Sequence, residues 1–107
     1  MTLRPPQGHA RNMPAVALDY EIAQEQASAL GRLGRALETA LAALAEYDTA
    51  GPATDMHRKQ LVQQASEALW CIIVQREACG LRDPRPAIRD YRVPAEVYAR
   101  MGTRGQR

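Results

Sequence analysis

"ALWCIIV", residues Ala68 to Val74, is seven nonpolar residues in a row, and its reading decides the architecture. So short an apolar run suits a buried strand or a buried helix, so its flanks arbitrate. "LVQQASE", residues 61–67, and "QREACG", residues 75–80, look helical, so the run is read as the middle of a helix. The spacing predicts that helix over Asp55 to Cys79. Gly80 is the natural residue just past its end, and Leu81 is available for the apolar contact of a Schellman ending. Arg76 lies in the last turn, where the helix dipole favours a cation. Seven helical residues make nearly two turns and point in every direction around the axis. Such a segment has to be covered on several sides.

Upstream, "EYDTAGPATD", residues 46–55, breaks the helical pattern. Gly51-Pro52 is a turn signal, and Thr54 or Asp55 can cap the helix that follows. Before the turn, Leu30, Leu33, Leu37, Leu41 and Leu44 recur at spacings of three and four, which makes one apolar stripe on a first helix. That helix is expected from Asp19, a plausible N-cap, to Tyr47, with an extra turn available from Pro14. Inside it sits "GRLGRALE", Gly31 to Glu38. Gly34 lies about 40° around the helix from Leu30, among small side chains, and Gly31 about 100° away on the polar border. Each glycine costs about 1 kcal/mol relative to alanine in a helix interior. Close approach of a neighbour offsets such a cost, so a partner helix is expected to cross near Gly34. For Gly31 the plainer reading is tolerance or a slight bend.

Downstream, Pro84 and Pro86 forbid a continued long helix, and Ala87 to Tyr91 suits a single helical turn. A short helix is expected from Pro94 to Met101, stopped by Gly102, with Val97, Tyr98 and Met101 facing inward. The resulting division is a disordered arm over 1–13, one helical domain over 14–102 and a disordered tail over 103–107. The fold class is all-α: an antiparallel two-helix hairpin with a short C-terminal helix.

A hairpin buries only the strip between its helices, which would leave part of the Trp70 to Val74 segment uncovered. Two copies would close the core as a four-helix bundle about a twofold axis. A homodimer is therefore expected. Its helix–helix contacts fall to Leu30, Leu33, Gly34, Leu37, Leu41 and Leu44 on the first helix, and to Leu69, Trp70, Ile72 and Ile73 on the second. The alternative is a compact monomer whose C-terminal segment wraps the hairpin.

Charge is uneven along the chain. Residues 16–50 carry two arginines against six acidic residues, whereas residues 80–107 carry seven arginines against three. The two ends of the chain can attract each other, within one chain or across a dimer. Arg82, Arg85, Arg89 and Arg92, with Tyr91 and Tyr98 nearby, form the most basic stretch. Arginines neutralise phosphates and tyrosines stack on bases, so Arg85, Arg89 and Arg92 are the candidate nucleic-acid contacts. Asp83 and Asp90 dilute that charge, which favours pairing with the acidic first helix instead.

Catalytic and metal patterns are missing from the sequence. There is no Glu-x-x-His of a bundle di-iron site, and neither Cys71 nor Cys79 belongs to a Cys-x-x-Cys pair. Eight positions apart on one helix, the two cysteines cannot bridge, and they read as small buried hydrophobes of a reducing compartment. His57 reads as solvent-facing, and Glu21 with Glu25 lies on a polar face. The first fourteen residues lack the apolar run of a secretory signal, and no stretch is apolar enough to span a membrane, so a cytoplasmic location is expected. No enzyme activity, no cofactor and no metal are expected.

The blocks "LDYEIAQEQASALGRLGRALETAL", residues 18–41, and "EALWCIIVQREACGLRD", residues 67–83, resemble a small bacterial family of uncharacterised helical proteins, a domain of unknown function. The resemblance implies no activity and carries no functional residues. The leading expectation is a non-enzymatic interaction or structural protein acting as a homodimer. The alternatives are a small nucleic-acid-associated regulator and an accessory subunit for another protein.

Overall fold

The computed structural model describes residues 4–51 and 55–105, with side chains described for 15–51 and 56–102. Four helices follow in order: α1 (Arg4–Thr49), α2 (Asp55–Ala78), α3 (Arg85–Asp90) and α4 (Ala95–Gly105). No strand occurs among the described residues, and the Ala68–Val74 run lies wholly within α2. The fold is all-α, with the long helices α1 and α2 packed against each other and α4 packed on α2.

The leucine stripe does what its spacing predicts. Leu37 and Leu44 are buried, and Leu30, Leu33 and Leu41 pack partly buried against the same core. From α2 come Val62, Ala65, Leu69, Ile72 and Ile73. The third source is the C-terminal segment, through Ala87, Val93 and Val97, all buried. Ser66 is fully enclosed, and its hydroxyl donates to the Gln63 carbonyl at 2.9 Å, so this buried polar group is satisfied.

This wrapping changes the argument for shelter. Ile72 and Ile73 are enclosed within one chain, so the centre of α2 does not need a second copy there. The residual exposure lies on the outer face of α2, where Val74 is 45% exposed, Cys71 is exposed and Trp70 is half-buried. Cys71 is therefore not the buried hydrophobe its neighbours suggest, because about 200° separates it from Leu69 around the axis. Both cysteines are free thiols.

The end of α2 follows local chemistry. The Leu81 N–H donates to the Arg76 carbonyl at 2.8 Å and the Gly80 N–H to the Glu77 carbonyl at 3.0 Å, the paired bonds of a Schellman ending. Gly80 sits at φ 90°, a conformation that side chains disfavour. The same ending recurs after α3. There the Val93 N–H reaches the Ile88 carbonyl at 3.0 Å and the Arg92 N–H the Arg89 carbonyl at 3.1 Å. The left-handed residue is now Arg92, at φ 53°.

Two helix limits and one side-chain direction differ from the sequence reading. α1 starts at Arg4 and not at Asp19: no glycine or proline interrupts the chain from Ala15 to Leu30, and the helix also runs on through Pro14 and Gly8, which the local sequence does not explain. Gly102 does not stop α4, which continues to Gly105: one glycine weakens a helix without ending it. Within α4, Val97 is buried and Met101 packs against the core, but Tyr98 faces outward at 40% exposure, about 100° around the axis from Val97. Helix runs through residues 4–13 and 103–105, where the sequence reading expects a disordered arm and tail; the expected cap at Thr54 or Asp55 and residues 1–3, 106 and 107 fall on residues or side chains outside those described.

Candidate functional site

The longest uncovered surface belongs to α1. At about 1.5 Å per residue, α1 is about 69 Å long and α2 about 36 Å, so α1 must run past the end of its partner. Every residue from Ala15 to Glu25 is exposed. Val16, Leu18, Tyr20 and Ile22 are 48–66% exposed, four large apolar side chains within seven positions. Around the helix, Val16 and Tyr20 share one side and Leu18 and Ile22 share another about 200° away, so the projecting helix exposes two narrow apolar strips rather than isolated residues.

Gly34 is buried, and the neighbour that approaches it is the ring of Tyr91, which follows α3, and not a crossing helix. The Tyr91 hydroxyl occupies the place where a side chain on residue 34 would begin. Gly31 differs: beside it lies only the flexible end of Arg35, at 3.5 Å. One glycine is a packing requirement and the other is tolerated.

Arg58 ties three elements together. Its Nε donates to Asp48 Oδ1 at 2.8 Å and its Nη2 to Asp48 Oδ2 at 3.1 Å. Its Nη1 and Nη2 donate to Glu96 Oε2 and Oε1 at 2.8 and 2.7 Å. One guanidinium near the start of α2 thus holds the end of α1 and the start of α4 by bidentate bonds. Those hydrogen bonds from Arg58 hold the Asp48 and Glu96 carboxyls below their ordinary range, and the two carboxylates raise Arg58. Beside the clamp, an open groove of about 400 Å³ is lined by Lys59, Val62 and Arg100 together with Arg58 and Glu96. Arg100 Nε donates to Gln63 Oε1 at 2.7 Å. The clamp escaped the sequence reading because its members become neighbours only after the hairpin and α4 are in place.

The basic segment pairs locally rather than with α1. Arg85 donates from Nε and Nη2 to both Asp83 oxygens, at 3.0 and 2.8 Å, and its backbone N–H reaches Asp83 Oδ1 at 3.0 Å. This side-chain and backbone bonding by Arg85 holds the Asp83 carboxyl down at about 2. Arg89 lies 3.5 Å from Asp90. Arg82 and Arg92 are exposed. His57 is exposed and stacks on Tyr47 with ring centres 4.9 Å apart. Glu25 pairs with Arg32 at 3.3 Å, so Glu21 and Glu25 do not form a carboxylate dyad. Among the described residues, no group of three or more histidine, cysteine or acidic side chains is placed to hold a metal ion, and no helix is long and apolar enough to cross a membrane.

The sequence-predicted interface residues divide in two. Leu30, Leu33, Gly34, Leu37, Leu41, Leu44, Leu69, Ile72 and Ile73 are drawn together within one chain, while Trp70 stays at its edge. The exposed α1 cluster, with Val16, Leu18, Tyr20 and Ile22, was outside that prediction. Its signal was the run of helix formers before Leu30, which carries the helix upstream.

Compared with known proteins, residues 3–107 match a family of unknown function (DUF6665). No curated protein and no solved structure matches the chain.

Proposed function

We propose that this chain, which belongs to that family of unknown function, is a non-enzymatic interaction protein that works as a homodimer. The observation that carries the reading is the uncovered start of α1, where Val16, Leu18, Tyr20 and Ile22 face solvent on a helix with no intrachain neighbour alongside. Burying apolar area is worth about 25 cal/mol per Å², so such a cluster favours association. Twofold dimers are the commonest soluble homo-oligomers. The charged groups nearest the groove serve packing: Arg58, Asp48 and Glu96 bind one another across three helices. The nucleic-acid reading has less support, since Arg85 and Arg89 already lie against Asp83 and Asp90.

Light scattering on the purified protein over a concentration series tests the reading. A mass of twice the chain's 11.8 kDa is expected. A monomer at the highest concentration overturns it.

A further inference from the structure

We propose that residues 15–25 of one chain lie across the end of the α2–α3 region of a second copy, and that the second copy's α1 does the same in return. The proposal rests on the homodimer reading and names its surface.

Three observations carry it. The first is geometric. Residues 15–25 span about 16 Å, longer than the diameter of a helix, and they continue α1 away from the hairpin. A continuous helix cannot fold back onto itself, and among the described residues nothing covers the apolar side chains of this stretch.

The second is charge. Residues 15–29 contain Asp19, Glu21 and Glu25 and no basic residue, and Asp19 and Glu21 carry the charge that remains once Glu25 pairs with Arg32. The α2–α3 end carries Arg82, Arg85, Arg89 and Arg92, all exposed; Arg85 and Arg89 already lie against Asp83 and Asp90, so Arg82 and Arg92 carry most of the charge a partner would meet. One chain therefore bears both halves of a complementary pair, and its own fold leaves the acidic half projecting. Complementary potentials of this kind select partner and register.

The third is apolar surface at the receiving end. Val74 is 45% exposed on α2, and Leu81, next in the chain to Arg82, is 47% exposed. The strip of Leu18 and Ile22, with Glu21 about 60° from Leu18 around the helix, fits a surface that presents Leu81 next to Arg82. A twofold axis makes the contact occur twice, so each copy gives and receives the same element.

Charge exchange tests this. Asp19→Lys with Glu21→Lys gives one variant, and Arg82→Glu with Arg89→Glu gives another. Alone, each variant sets like charges together at both contacts, and its dimer dissociation constant should rise by about tenfold or more. An equal mixture of the two restores opposite charges at both contacts, so it should recover wild-type affinity as a mixed dimer. Leu18→Asp with Ile22→Asp should give a monomer whose helical signal and melting temperature match a wild-type monomer, because neither side chain supports the fold of one chain. A wild-type dimer that persists in all these variants, or a mixture that fails to recover, overturns the α1 contact and leaves the homodimer standing. A wild-type monomer overturns both.

Discussion

The hydroxyl of Tyr91 stands where the first side-chain carbon of residue 34 would lie, with Tyr91 Cζ only 3.2 Å from that point. Gly34 is therefore a socket for a ring delivered from the far end of the chain. Gly34→Ala should destabilise the fold by about 1–3 kcal/mol, because overpacking outweighs the gain in helix propensity of about 1 kcal/mol. Gly31→Ala should do the opposite and stabilise by up to about 1 kcal/mol, since only the movable tip of Arg35 is near. Adding Tyr91→Leu to Gly34→Ala should recover part of the loss, a non-additivity that thermal melts of the four proteins would reveal. Equal effects of the two glycine substitutions would contradict the socket.

Acid should loosen the clamp at Arg58. Asp48 and Glu96 have carboxyls held below their ordinary values by Arg58, so their contribution is full above about pH 5. It is lost as pH falls below the ordinary carboxylate range, when the folded chain must take up protons at these sites. Asp83, held at about 2 by Arg85, begins to lose its contribution in the same range, and the loss is complete only near pH 2. All three groups are near solvent, so the effect is modest and shrinks with salt. Melting temperatures from pH 7 to pH 3 should fall for the wild type and fall less for Arg58→Met. Parallel profiles would show that the clamp adds nothing.

Features written by neighbouring residues were legible in the sequence. Gly80 and Leu81 announced the end of α2, and Leu30 to Leu44 announced the buried face of α1. Asp19 misled because a capping residue starts a helix only where the chain is not already helical. Cys71 and Tyr98 misled because an apolar neighbourhood in sequence does not say which direction a helix turns inward. The clamp was invisible: Arg58 lies 10 positions from Asp48 and 38 from Glu96, and no local pattern joins them. The α1 surface was not legible because Val16 and Leu18 precede the expected start at Asp19, and apolar residues two apart show no helical stripe.

Arg92 holds the left-handed position after α3, where glycine is the usual residue. A side chain there costs about 1–2 kcal/mol, partly offset by the greater freedom glycine adds to the unfolded chain. Arg92→Gly should therefore stabilise by about 0.5–1 kcal/mol, read from urea unfolding. No gain, or a loss, would mean that the arginine side chain makes a contact worth as much as the strain.

Substitutions in α2 and α1 should separate folding from association. Leu69 is fully enclosed, so Leu69→Ala should cost about 2–5 kcal/mol, a large part of the stability of so small a domain. The same logic makes Leu37→Asp and Ile73→Asp poor probes of a dimer, because both side chains lie in the core of one chain and their loss unfolds it. Ile22 is 48% exposed on the projecting part of α1, so Ile22→Ala should leave the stability of a single chain within about 0.5 kcal/mol of wild type. Its effect should appear only where copies meet: unfolding midpoints of the wild type should rise with protein concentration, and those of Ile22→Ala should rise less steeply. A large loss for Ile22→Ala at the lowest concentration would mean that the tip of α1 packs against its own chain.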